Sequence, residues 1–596
     1  MDFNKEQKEL INHKEGACVV FAGAGAGKSA SATNRVKQLI LSGVDPSQIL
    51  ITTFSNKSAQ DLKNKLSELF VNNVTVGTFH SVCGKILYSK GIDTTSKIKQ
   101  YEIDNLFKGI DRTMKTKEVQ AIMRVIGLQK NNLIGVDDTY EMRDFELTEE
   151  YVREFYRAYE NYKKAKRVYD WDDVLLLAYE ELKKSNVGYT YEYIIVDESN
   201  DNNVVQMELV KLLCPSGNIM LVGDEKQAIY GFRGSKPELM LNFKNEFPDA
   251  KIINLYMNYR STNNIVETAN GFIQQYCDKR YYVPSKAFNQ KNGEIKIIEH
   301  FDKENEAKKI VDMIEAKLKK GVAPNDICIL YRNNQNSFEI EKELKERNIE
   351  YFINSEDGSF FNRNEIKGIL AVLRLIHNTK DNEACNEIFN KRFHPLKFIS
   401  NNIKDSINNL SAKRDISMFD ACDLIQTPKD YQKKSLKEFR NIIESLIIQY
   451  NNGTPLMTII NNIIRVFKIK DYIEDKYDEQ GIEERLESLN SLKSFVKNNT
   501  LDSFLNFVYC SNKSKKTCGI NDIQLMTCHK SKGLEFKEVF LIGVEDGKFP
   551  SARAFDIVEE ARLFYVATTR SKENLTISQI GDYNKFVSEY RSFLEG

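Results

Sequence analysis

Phe21–Ser31, FAGAGAGKSAS, follows the apolar run Cys18-Val19-Val20, and its reading decides the fold. Small residues here give up side chain, which is costly to order and adds little to a core. The form is Ala, four residues, then Gly-Lys-Ser, running through Ala22, Gly23, Ala24, Gly25, Ala26, Gly27, Lys28 and Ser29. A helix-period segment follows, with Val36, Leu39 and Ile40 facing inward. Strand, glycine loop and helix in that order make a phosphate-binding loop. Backbone N–H groups reach phosphate only where side chains are absent, and the helix N-terminus adds favourable partial charge. Lys28 is expected to neutralise the β- and γ-oxygens, and Ser29 to ligate Mg2+.

Such a loop leaves kinases, GTPases and motors open. In YEYIIVDESND, Asp197 and Glu198 end the buried-type strand Ile194-Ile195-Val196. Asp197 suits Mg2+, and Glu198 suits orienting and deprotonating the attacking water. A third strand, in NIMLVGDEKQAIYGFRG, runs into Gln227, Tyr230, Phe232 and Arg233. The Gln227 amide could sense a γ-phosphate, and the aromatics with an arginine suit stacking on unpaired bases.

Composition bounds the rest. A chain of 596 residues exceeds one core and is expected to divide into about four units. With 41% hydrophobic and 29% charged residues it reads as globular. No apolar run approaches the roughly 18 residues of a membrane span, and the charged start MDFNKEQKEL shows no secretory signal. The cysteines are scattered without CxxC pairs, which favours reduced thiols in a cytoplasmic setting. Lys+Arg 85 balances Asp+Glu 85, so any nucleic-acid surface must come from local segregation of charge.

The motifs, taken in order, closely resemble the UvrD/Rep/PcrA group of superfamily 1 DNA helicases from end to end. FNKEQKELI resembles its Q motif, ITTFSNKSAQDL its F-T-N-x-A-A segment, VGTFHSVC its T-x-H segment and DWDDVL its D-F-D-D-L segment. LYMNYRST is similar to motif IV, IQLMTCHKSKGLEF to motif V and EEARLFYVATTRS to motif VI. The resemblance implies that Gln7 reads adenine, Tyr259 stacks on it and Glu535 binds the ribose. It implies that Arg260 and Arg570 are arginine fingers from the second core. It places Phe54, His80, Tyr230, Phe232, His529 and Phe549 along single-stranded DNA. By residue type alone, Phe54 and Phe549 fit a core as well as a base platform, and His80 and His529 fit satisfied polar groups. Asp172 and Asp173 fit a charge pair at a helix N-terminus, and the basic run NYKKAKRVY fits a solvated helix face.

Two positions depart from the family pattern. Ala30 stands where an arginine usually follows the Lys-Ser pair, and Asn200 stands where motif II has a glutamine one methylene longer. Hydrolysis is expected to survive both; the coupling between ATP and DNA is the property in question.

The expected fold is α/β: two RecA-like parallel-sheet P-loop cores, each interrupted by a mainly helical insertion. Expected boundaries are 1–90, 186–255 (first core), 91–185 (its insertion), 256–375, 515–596 (second core) and 376–514 (its insertion). First-core strands are expected near 17–21, 50–54, 74–78, 193–197 and 219–223. Second-core strands are expected in GEIKIIEHF, DICILYR, IEYFINS, IQLMTCH, EVFLIGV and NLTISQI. In SLKEFRNIIESLIIQY, Leu436, Phe439, Ile442, Ile443 and Leu446 share one helix face, and Thr454-Pro455 reads as a cap with proline in the first turn. The chain ends soon after Arg570, so no carboxy-terminal nuclease domain is expected.

The expected function is an ATP- and Mg2+-dependent helicase on single-stranded DNA and at single-strand/duplex junctions, in repair- or replication-type processing, without a membrane; that it moves 3′ to 5′ is implied by the family resemblance alone. One alternative is a helicase subunit serving a separate nuclease in anti-phage defence. Another is an ATP-gated clamp that strips proteins with little unwinding, which Ala30 and Asn200 keep open.

Overall fold

The computed structural model describes residues 2–595 except 143–146, 185–188, 280–281, 355–359, 428, 478, 497–499, 512–517, 553 and 555. Its frame is two six-stranded parallel sheets. The first comprises β1 (Cys18–Ala22), β2 (Ile49–Thr52), β3 (Thr75–Gly77), β4 (Tyr193–Asp197), β5 (Ile219–Gly223) and β6 (Lys251–Leu255), in the order β3-β2-β4-β5-β1-β6. After a two-stranded pair, β7 (Met257–Thr262) with β8 (Lys286–Asn289), the second sheet comprises β9 (Glu294–His300), β10 (Ile327–Tyr331), β11 (Tyr351–Ile353), β12 (Ile523–Thr527), β13 (Phe536–Glu545) and β14 (Ser571–Ile580). Its order is β11-β12-β10-β13-β14-β9.

The strands read as unbroken apolar runs because helices cover both faces. Strand side chains alternate in direction, so neighbouring residues feed different cores. Val19, Leu50, Ile194 and Leu221 pack on one side of the first sheet, whereas Val20, Ile51, Ile195 and Val222 pack on the other. The second sheet repeats this, with Leu330, Met526, Leu541 and Ile577 on one side and Ile329, Leu525, Phe540 and Ile542 on the other.

Each core carries a helical insertion with a core of its own. In the first, Phe107, Ile122, Phe155 and Tyr159 pack together. In the second, one cluster extends from Phe360 through Phe439 and Ile463 to Phe504. The helix Asn364–His377 crosses the expected boundary at 375/376 and packs into this cluster. The expected boundaries at 185/186 and 514/515 lie outside the described residues, as does Ser355 at the end of IEYFINS. Leu436, Phe439, Ile443 and Leu446 are buried and Ile442 is half-buried. Pro455 is itself the N-cap of the helix Leu456–Val466, one position earlier in the turn than expected. Strands β6, β7 and β8 were not among the expected ones.

The NYKKAKRVY run is not a solvated face throughout. Lys163, only 3% exposed, donates to Asp173 at 2.7 and 2.8 Å and to Asp170 at 3.0 Å. Lys130 joins them, donating to Asp170 at 2.6 Å, and Asp170 and Asp173 accept each other's backbone N–H at 2.7 and 2.8 Å. The expected charge pair at the start of Asp172–Lys184 is therefore not a solvated pair: Asp172 is half-buried against Asn131, and Asp173 ties the helix to the insertion helices Thr116–Asn131 and Glu149–Lys166. Glu160 is a third carboxylate here, 2.8 Å from Lys163, so removing Asp173 leaves both lysines matched in charge but takes away three of their hydrogen bonds. Asp173→Ala is expected to cost about 3 kcal/mol. Urea unfolding followed by the fluorescence of Trp171, the one tryptophan, checks it, since Lys97 lies 4.7 Å over that ring beside the cluster.

Candidate nucleotide and nucleic-acid site

The loop between β1 and the helix Lys28–Leu41 is shaped by what packs on it. Gly25 and Gly27 take φ of 68° and 77°, the left-handed region open to glycine at little cost. A Cβ on Gly25 would lie 2.6 Å from Arg260 Cβ and 2.7 Å from Asn258 Oδ1, and one on Gly27 would lie 2.8 Å from Gln7 Nε2. Tyr259 donates its N–H to the Gly25 carbonyl at 2.9 Å. Gln7 donates Nε2 to the Ala26 carbonyl at 3.1 Å and closes a reciprocal cap with Asn4. Ala22, Ala24 and Ala26 are buried, and Gly23 and Ser29 flank the glycine turn.

Opposite the loop, Asp197 closes β4 and Glu198 follows with φ 54°. Lys28 Nζ lies 3.6 Å from Glu198 Oε1, and Lys532 Nζ from the second core lies 3.6 Å from Oε2. Lys532 also donates to Asp201 and, at 2.7 Å, to the Gln227 carbonyl. Burial pushes both carboxyls up, but at Glu198 the charges of Lys28, Lys532 and Arg570 outweigh it and hold the group well below the usual carboxylate range. At Asp197, burial and the Glu198 charge together raise it. Asp197 Oδ1 is buried without a hydrogen-bond partner. A hard, unpartnered oxygen donor of that kind, within the field of Lys28 at the head of the helix that carries Ser29, fits a divalent cation.

The two cores meet along a polar chain. Arg570, 1% exposed, donates Nη2 to Gln227 Oε1 at 3.1 Å. Gln227 donates to Asp224 Oδ2 at 2.7 Å, the Asp224 N–H donates to Asn200 Oδ1 at 3.0 Å, and Asn200 donates to Asp201 Oδ1 at 3.1 Å. The shorter amide of Asn200 thus spans the gap. Burial and the neighbouring Arg260 pull the Arg570 guanidinium down to about 9. Arg260 donates to Glu535 Oε2 at 2.9 Å and to the Thr569 carbonyl at 3.2 Å, and Glu535 also pairs with Lys572 at 2.8 Å. Tyr259 stays 40% exposed, its ring 5.0 Å from that of Phe288.

Next to this cleft the aromatics gather. Phe54 stacks on Tyr230 at 4.5 Å; Tyr230 lies 6.0 Å from Phe232 and 6.3 Å from His529. Arg233 sits over Tyr230 at 5.4 Å and Phe232 at 5.5 Å, and Phe232 is 61% exposed. His80 lies elsewhere, edge-on to Trp171 at 6.2 Å. Phe549 corrects an expectation: its ring is fully buried against Phe564 at 5.7 Å and Phe586 at 6.4 Å in the second core, so it presents no face to a strand. Burying a phenyl ring contributes roughly 2 kcal/mol or more, which decides its direction. Arg233, expected with the aromatics to suit unpaired bases, lies over the Phe54, Tyr230 and Phe232 rings, and Lys532, part of the motif V stretch, has a tie to the first core that the sequence reading did not include. Arg233's company of three aromatics was the available signal; the burial of Lys532 had none.

Two family models cover the chain: the UvrD/REP helicase N-terminal domain matches residues 3–248, and the UvrD-like helicase C-terminal domain matches residues 253–582. Among curated proteins, the chain is 31% identical to ATP-dependent DNA helicase Rep of Buchnera aphidicola subsp. Schizaphis graminum, over 96% of this chain and 93% of that one. It is 30% identical to ATP-dependent DNA helicase PcrA of Staphylococcus epidermidis, over 97% and 83%. It is 28% identical to DNA helicase II of Haemophilus influenzae, over 99% and 85%.

His529 carries a pH dependence of known sign. Burial first, then Arg332, Arg233 and Lys532, lower its ring from the usual 6.5 to about 3. The unfolded chain takes up this proton near pH 6.5 and the folded chain refuses it until about pH 3, so stability falls as pH drops through that window. His529→Gln is expected to lose less thermal stability than the parent between pH 7 and pH 5, measured by melting temperature at both.

Proposed function

The chain belongs to the UvrD/Rep helicase family and is an ATP-dependent DNA helicase of the UvrD/Rep/PcrA type, and from that premise we propose that it moves 3′ to 5′ along single-stranded DNA and unwinds the duplex it meets. The observation that carries this reading is the convergence of Lys28, Glu198, Lys532 and Arg570, drawn from both cores, on one cleft, with Lys532 also 5.5 Å over the Tyr230 ring of the Phe54–Tyr230–Phe232 cluster.

In this mechanism the backbone of Ala22–Gly27 cradles the triphosphate and Lys28 exchanges Glu198 for the β- and γ-oxygens. Tyr259 stacks on adenine, Gln7 reads its edge, and Glu535 binds the ribose. Ser29 and Asp197 would hold Mg2+, which neutralises phosphate charge when bound. Glu198, kept ionised, orients the attacking water and accepts its proton. Gln227 senses the γ-phosphate, and Arg260 and Arg570 stabilise the charge that develops on it. Because these arginines belong to the second core, hydrolysis is tied to the closing and opening of the cleft. Phe54, Tyr230, Phe232 and His529 grip the strand, and His80 contacts it near Trp171. Stacking on any base face is sequence-tolerant, which suits a motor.

The proposed setting is cytoplasmic DNA processing in repair or replication, with a separate nuclease or repair protein as partner. The clamp alternative rested partly on Asn200, and the Asp224–Asn200–Asp201 bridge weighs against it.

Lys28→Ala is expected to abolish hydrolysis, and Glu198→Gln to lower kcat by about 10²–10⁴-fold with little change in KM. A 3′-tailed duplex should be unwound and a 5′-tailed one should not. DNA-stimulated hydrolysis without strand separation would establish the clamp instead, and a Lys28→Ala chain matching the parent would sink the mechanism.

A further inference from the structure

The helix Ile557–Thr568 of the second core is fixed to its own sheet by Glu560, which accepts from Arg332 Nη2 at 2.8 Å and Nε at 3.1 Å and from the Ser551 N–H at 3.1 Å. Its neighbour Glu559 points the other way, across the cleft. Glu559 Oε1 accepts the backbone N–H of Gly231 at 3.1 Å. The approach is close: a Cβ on Gly231 would lie 2.5 Å from Glu559 Oε2. Gly231 stands between Tyr230 and Phe232, the two rings of the aromatic cluster that the first core extends towards His529.

At the other end of the same helix, just past Thr568, Arg570 donates to Gln227. Gln227 and Gly231 bound one short first-core segment. One helix of the second core therefore grips that segment at both ends, by a guanidinium at the nucleotide side and by a carboxylate at the aromatic side. The segment is held at a third point, the Gln227 carbonyl, by Lys532. A motion of the second core that carries Arg570 must carry Glu559 with it.

We propose that Glu559 is a positioning residue that sets the Tyr230–Phe232 loop from the second core, so that cleft closure at Arg570 and the posture of the base-stacking rings change together. This inference rests on the reading of Tyr230 and Phe232 as the single-strand platform. Glu559 touches neither nucleotide nor DNA in this account; it acts through the Gly231 amide.

The test uses the full chain, an oligo-dT strand and steady-state ATP hydrolysis. Glu559→Ala is expected to hydrolyse ATP without DNA at close to the parent rate. The oligo-dT concentration giving half-maximal stimulation should rise about tenfold, the scale of one lost hydrogen bond to a charged acceptor. Glu559→Gln keeps an acceptor oxygen and should return most of the stimulation, whereas Glu559→Met keeps similar bulk without that oxygen and should stay impaired; full stimulation in Glu559→Met would show a purely packing role and overturn the inference. Normal stimulation in Glu559→Ala, or equal impairment in Glu559→Gln, overturns the inference. Phe232→Ala separates the two levels: if it is impaired while Glu559→Ala is not, the inference alone fails, and if Phe232→Ala also behaves as the parent, the platform reading fails.

Discussion

Among the described residues no carboxylate hydrogen-bonds to the buried Arg570; Glu198 and Glu535 act on it only through space. Taking a guanidinium out of water costs several kcal/mol unless opposite charge or a full set of acceptors meets it. Here its hydrogen bonds go to the neutral oxygens of Gln227, Val566, Leu534 and Thr569. Arg260 beside it adds repulsion, and the guanidinium is pulled down to about 9. Lys532, its side chain 8% exposed, has Asp201 and Glu198 and stays raised. The two cations thus differ in kind. Lys532 is a structural tie between the cores, whereas Arg570 is held ready for an anion, and a bound triphosphate supplies one.

The same accounting explains the polar chain that joins the cores. Gln227 takes Arg570 on its oxygen and gives its nitrogen to Asp224, so its amide cannot turn without breaking both bonds. Asp224 and Asp201 are in turn bridged by Asn200. A phosphate that draws Arg570 away from Gln227 disturbs a path with few alternative partners, since each buried polar group left alone is penalised. That is a physical basis for a discrete change of posture in place of a graded one.

What the sequence made legible follows from what is local. The glycine loop is readable because only a close backbone approach explains three glycines before Lys28, and the main strands because burial on both faces leaves unbroken apolar runs. Strand β6 escaped notice because it lies at the sheet edge, where Lys251 and Ile252 are exposed and the run is broken. Lys163 escaped because a lysine in a basic run looks alike whether it meets water or Asp173; only the fold brings residues 130, 163 and 173 together. Phe549 failed in the opposite sense, since position in a motif names a neighbourhood and packing against Phe564 decides which way the ring turns.

Glu198 shows why adjacent carboxylates at one strand end need not act alike. Side chains alternate along a strand, but alternation alone would not keep both groups at the cleft. The left-handed backbone at Glu198, φ 54°, is costly for a residue with a Cβ, on the order of 1–3 kcal/mol. That turn carries the chain into Ser199–Asp201, all three buried: Ser199 meets Met240, Asn200 meets the Asp224 N–H after β5, and Asp201 meets Lys532. Packing of those three residues holds the strain. The consequence is electrostatic: Glu198 is delivered between Lys28 and Lys532 and stays ionised, while Asp197 remains at the strand end with Oδ1 unpartnered and its proton affinity raised. A relaxed backbone at residue 198 would lose that division, and with it the difference between a group that binds a cation and a group that handles water.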